Sequence, residues 1–66
     1  MKLRIDREND ALYLRLDESA IAESEEVQPG VIMDFNEEGR VVGVEILQLS
    51  LRTKPEMLQH FLYEAA

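Results

Sequence analysis

Cysteine is absent from this 66-residue chain, so neither a disulfide nor a thiolate metal site can hold the fold together. Histidine occurs once, at His60, which rules out an imidazole cluster. Long apolar runs are missing as well: nothing approaches the roughly 18 residues that a bilayer span requires. The first ten residues, MKLRIDREND, alternate charge with Leu3 and Ile5 and offer no signal-peptide apolar region. These absences predict a soluble domain with no membrane association, and the lack of cysteine fits a reducing, cytoplasmic location. Basic residues are also scarce. Seven Lys and Arg stand against 14 Asp and Glu, a net charge of −7, and the cations are scattered from Lys2 to Lys54. A nucleic-acid backbone would be repelled, so direct nucleic-acid binding is not expected. An acidic excess of this size serves solubility or meets a basic protein partner.

A single domain this small buries only about 60% of its unfolded surface. Apolar burial then contributes roughly 100 kcal/mol, and ordering the chain costs about the same. Without disulfide or metal, self-association is the remaining means of stabilisation, and a homodimer is the expected state.

Lys2 to Asp6 alternates polar and apolar residues, with Leu3 and Ile5 on one face, as a half-buried strand does. Turn chemistry follows in Arg7-Glu8-Asn9-Asp10, and residues 11–16 resume the alternation, with Leu12, Leu14 and Leu16 inward and Tyr13 and Arg15 outward. Ile21 to Gln28 has no cleanly apolar face. It reads as an irregular stretch ending in a short edge strand at 25–28, whose acids blunt the edge, and a helical turn near Glu18 to Ala22 is an alternative for its start. Pro29-Gly30 suits the centre of a type II turn. Two strands follow, 31–35 and 40–47, flanking Asn36-Glu37-Glu38-Gly39, where Gly39 suits the left-handed position of a type I turn with a bulge.

That turn would pair Phe35 with Val41 and Ile32 with Val44, making both faces of the hairpin apolar. A one-residue shift would instead gather Val31, Met33, Phe35, Val42, Val44 and Ile46 on one face, leaving Asp34 and Glu45 on the other. Turn chemistry favours the first register. The last element, 54–65, is a helix: Thr53-Lys54-Pro55-Glu56 has capping-box form, and Leu58, Phe61, Leu62 and Ala65 make a stripe of period 3.6. The expected fold class is α+β, a mainly antiparallel β-meander of four to five strands with one C-terminal helix.

The order DALYLRL, then SEEVQPGVIMDFNEEGRVVGVEIL, resembles a bacterial family known as domain of unknown function 2283, over roughly Ile5 to Ser50. Its marks are Asp10-Ala11-Leu12-Tyr13, Pro29-Gly30, the Asp34 to Gly39 turn and Gly43-Val44-Glu45-Ile46-Leu47. The resemblance implies a small stand-alone protein with no established activity, cofactor or catalytic residue, and for some members a neighbouring small toxin-like partner.

Chemistry-bearing constellations are few. Glu23, Glu25, Glu26, Asp34, Glu37, Glu38 and Glu45 supply oxygen ligands, but no calcium-loop motif is present, and the favoured register sets Asp34 and Glu45 on opposite faces. They read as solvated edge acids. His60 lies on a helix flank without a nucleophile to serve, and Ser19, Ser24 and Ser50 read as turn or cap residues. Gly39-x-x-x-Gly43 lacks the Lys and helix of a phosphate loop. No catalytic, cofactor or metal site is therefore assigned. Tyr13, with Leu58, Phe61 and Leu62, are the candidate interface residues. The expected function is a non-catalytic homodimeric interaction module, the acidic partner of a basic, toxin-like protein. The alternative is a small enzyme or ligand-binding protein whose pocket forms between subunits.

Overall fold

The computed structural model describes residues 1–65, with side chains for residues 1–60, so the side chains of Phe61, Leu62 and Tyr63 lie outside the described residues. Five strands form one antiparallel sheet: β1 (Lys2–Asp6), β2 (Ala11–Arg15), β3 (Glu23–Gln28), β4 (Val31–Phe35) and β5 (Val41–Ile46). A 3₁₀ turn (Leu49–Leu51) and helix α1 (Pro55–Ala65) follow. The α+β class with one C-terminal helix is as expected. Strand order is β1-β2-β5-β4-β3, so the β1–β2 hairpin joins the β3–β4–β5 meander by pairing β2 with β5. Leu12 lies opposite Ile46 and Leu14 opposite Val44, matching the apolar sets of the two strands.

The turns follow from their residues. Gly39 has φ +78°, its N–H donates to the Asn36 carbonyl at 3.0 Å, and the Asn36 side-chain oxygen accepts from the N–H of Glu38 and of Arg40. Gly30 takes φ +81° after Pro29, as a type II turn demands. Arg52 fastens this turn, donating to the Pro29 carbonyl at 2.6 Å and to the Leu47 carbonyl at 3.1 Å. At the β1–β2 turn, Asp10 adopts φ +52°, and its carboxylate accepts from the Ser50 N–H and hydroxyl, tying the turn to the 3₁₀ segment.

The β4–β5 hairpin uses both registers considered from sequence. Phe35 faces Val41 at the turn, but Val42 is then an extra residue: Asp34 pairs with Gly43, Met33 with Val44, Ile32 with Glu45 and Val31 with Ile46. The expected Ile32–Val44 pairing does not form, because the bulge slips the ladder by one residue. Its cause is visible at the neighbouring strand, where the Val42 carbonyl accepts from the N–H of Leu16 at 2.8 Å and of Asp17 at 3.4 Å.

The slip decides the faces. Leu3, Ile5, Leu12, Leu14, Val31, Met33, Val44 and Ile46 share one; Tyr13, Arg15, Ser24, Asp34, Gly43 and Glu45 share the other. The hairpin is therefore mainly apolar on one face and mixed on the other, where Ile32 stands beside Asp34 and Glu45, and these two acids lie on the same face, contrary to expectation.

The buried apolar residues among those described are Ala11 and Val42, and none of the eight side chains on the apolar face is fully buried. Close contacts run from strand to strand through the sheet. Residues 18–22 form no helical turn, and β3, exposed along its whole length, begins two residues earlier than expected.

The start of α1 departs from the capping box. Lys54 caps it, accepting from the N–H of Met57 at 3.0 Å and of Leu58 at 3.2 Å, and Pro55 opens the helix, where its missing N–H costs nothing. Thr53 instead ends the 3₁₀ turn, its N–H donating to the Leu49 carbonyl at 3.0 Å. Among the described residues, no helix is long and apolar enough to cross a membrane.

Candidate interface and polar network

The polar face is organised around Asp34, a carboxylate only 8% exposed in mid-strand. Ser24, its cross-strand neighbour on β3, donates its hydroxyl to Asp34 Oδ1 at 2.6 Å. The Tyr13 hydroxyl donates to Oδ2 at 3.3 Å, and Arg15 Nη1 donates to that same phenolic oxygen at 3.3 Å. Arg15 Nη2 reaches the Ser19 carbonyl at 2.5 Å, the Ser19 hydroxyl donates to Asp17 at 2.7 Å, and Asn36 donates to Ser19 Oγ at 3.4 Å.

Gly43 makes room for this arrangement. A Cβ there would stand 2.7 Å from Asp34 Oδ2 and 3.0 Å from the Tyr13 hydroxyl, so the carboxylate and phenol occupy the volume that any other residue would fill.

The electrostatics are those of a satisfied network. Arg15 titrates above its usual range, chiefly through its bond to Tyr13 and further through Glu18 and Asp34. Asp17 is held below its usual value, first by the Ser19 hydroxyl, and Asp6 below its own, first by the Asn9 side chain. Among the described residues no buried side-chain polar atom lacks a partner, and no three His, Asp or Glu gather as a metal set would require. Ser24 directs its proton to a carboxylate with no imidazole between, which is not the geometry of an activated nucleophile. The network ties β2, β4 and β3 together.

Two hollows adjoin the sheet. One, of about 270 Å³, lies beside the network between Arg4, Tyr13 and Glu45. The other, of about 280 Å³, separates the β1–β2 turn from the first turns of α1, with Ile5, Leu49, Pro55 and Leu58 on its walls.

Of the candidate interface residues, Tyr13 is half-buried on the polar face with its hydroxyl engaged, and Leu58 is half-buried toward the second hollow. Phe61 and Leu62 fall outside the described side chains. His60 is exposed on α1. Asp34, read from sequence as a solvated acid, is instead the centre of the network. The signal that could have found it is a glycine inside an apolar strand directly opposite a lone acid.

What the geometry defines is a small antiparallel α+β domain with a closed hydrogen-bond network on one sheet face and a half-exposed apolar surface on the other. The family described as "Protein of unknown function (DUF2283)" has a model that matches residues 2–50, and the chain belongs to that family. No curated protein and no solved structure matches it.

Proposed function

We propose that this protein is a non-catalytic interaction module that works as a homodimer, with the apolar sheet face as its seam. The observation that carries this reading is that face itself, lined by eight apolar side chains, none of them fully buried. The exposed area supports it. A folded monomer of this mass would expose about 4,300 Å² by surface scaling. The chain exposes 5270 Å² over its whole surface, about 1,000 Å² more than that scaling gives. A second copy stacked face to face would supply the missing layer of the core.

The net charge of −7 and the exposed Glu23, Glu25 and Glu26 on β3 suit a basic protein as the further partner, such as the small toxin-like proteins that the family resemblance suggests. Sedimentation at micromolar concentration tests the core of this reading. A dimer mass and a melting temperature that falls on dilution are expected. A single 7.6 kDa species with an unchanging melting temperature would refute it.

A further inference from the structure

The sheet ends in β1 on one side and β3 on the other, and each edge strand presents an outer row of backbone donors and acceptors that the sheet does not pair. Every strand runs antiparallel to its neighbour and their number is odd, so β1 and β3 point the same way. Joining β1 of one copy to β3 of the next, with like faces upward, would make a parallel pair that repeats without closing. Closure with like faces upward needs a two-fold axis normal to the sheet. Such an axis sets an edge antiparallel against the same edge of the other copy.

Charge chooses between the two edges. β3 carries Glu23, Glu25 and Glu26 with no cation, so laid against itself it brings acid toward acid, and the irregularity between Glu26 and Gln28 breaks its row. β1 carries both signs on one face. Its ladder with β2 puts Lys2, Arg4 and Asp6 on the polar face with Tyr13 and Arg15, and Leu3 and Ile5 on the apolar face. Centred on Arg4, the strand Lys-Leu-Arg-Ile-Asp complements its own reverse: Lys2 falls opposite Asp6 of the other copy, and Leu3 opposite Ile5. An axis normal to the sheet keeps each face on its own side. Opposite charges therefore meet on the polar face and aliphatic side chains on the apolar one. Moving the axis to Leu3 would set Lys2 against Arg4, and moving it to Ile5 would draw Arg7 and Glu8, which belong to the turn, into the ladder. The favoured register carries one adverse contact, Arg4 against Arg4 at the axis, where each guanidinium has Asp6 of its own strand at 4.0 Å.

We infer that β1 is a self-complementary edge through which two copies join antiparallel into one continuous sheet, Lys2 of each copy paired with Asp6 of the other. This contact lies apart from the seam proposed above, so failure of one leaves the other intact. A ladder of five residues buries less than a standard interface, and it forms at higher protein concentration than the seam.

The chain has no cysteine of its own, so an introduced thiol reports the register directly. Arg4→Cys, first confirmed as folded by circular dichroism, would face itself across the axis. The Cα separation of about 4.5–5.5 Å in an antiparallel pair lies within the reach of a disulfide. Under mild oxidation it should form linked dimer roughly tenfold faster than Glu26→Cys on the other edge, because the ladder holds its two thiols together. Lys2→Cys should link to Asp6→Cys in a mixture faster than to itself. Arg4→Cys linking no faster than Glu26→Cys, or Lys2→Cys linking to itself as fast as to Asp6→Cys, overturns the inference. Loss of the dimer at micromolar concentration fails the seam instead. A second measurement avoids cysteine: Arg4→Gln removes the like-charge pair and should raise the edge association constant, read by sedimentation at millimolar concentration, about threefold. A fall or no change refutes this register.

Discussion

Gly43→Ala is the most informative single substitution in this molecule, because one methyl group confronts the whole polar network. The new Cβ would lie 2.7 Å from Asp34 Oδ2 and 3.0 Å from the Tyr13 hydroxyl, well inside the contact distance of about 3.5–4.0 Å. Asp34 is anchored by β-ladder pairing on both sides, so relief must come from rotating its carboxylate. That rotation spoils the 2.6 Å bond from Ser24 and the 3.3 Å bond from Tyr13 together. Overpacking alone costs about 1–3 kcal/mol, and weakening a hydrogen bond to a buried charge costs about 1.5–3 kcal/mol. The two overlap, because one rotation trades strain for lost bonds, so a total of about 2–4 kcal/mol is expected. For a domain of this size that is a fall in melting temperature of roughly 10–25 °C. Urea unfolding at fixed protein concentration measures it, with the concentration held constant because association would otherwise shift the midpoint. Tyr13→Phe in the Gly43→Ala background should cost less than in the parent, since the hydroxyl that it removes is one of the two atoms the methyl strikes. A Gly43→Ala protein within about 0.5 kcal/mol of the parent, the range of ordinary surface changes, would refute the account of the recess.

Gly30→Ala should destabilise by about 1 kcal/mol or more, since φ +81° strains any side chain and the new Cβ would meet Arg52 Nη2 at 2.7 Å; equal urea midpoints for mutant and parent would contradict this. Asp6 and Asp17 titrate below their usual 3.8 in the folded chain, so their stabilisation is complete above that value and is lost as pH falls through the lower folded pKa. Carbon-detected titration should place both below 3.8 and show Asn9→Ala raising Asp6; an Asp6 at or above its usual value in the parent would remove the argument. Amide exchange should be slowest in Val41–Ile46, the central strand, and next in its two neighbours Ala11–Arg15 and Val31–Phe35, and slowest amides in the edge strands β1 or β3 would contradict the observed strand order.

Local chemistry made much of this fold legible in the sequence. Period-2 alternation located β1 and β2, Pro29-Gly30 and Asn36 to Gly39 set two turns, and the stripe of period 3.6 located the helix. Each of these depends on a residue and its immediate neighbours. The capping box misled because Thr53 was already committed to the 3₁₀ turn, a competition decided by the chain before it. The hairpin register could not be read, because the turn fixed one pairing and the bulge at Val42 replaced it with another. That bulge is held by hydrogen bonds from Leu16 and Asp17, residues some 25 positions away along the chain. From that slip follow the mainly apolar face and the placement of Asp34 opposite Gly43. The sequence by itself determined where the strands and turns lie, since those are local free-energy minima of backbone and side-chain chemistry. Which face is polar and which acid is buried were decided only by long-range pairing, because a one-residue slip in one ladder moves every side chain beyond it to the opposite face.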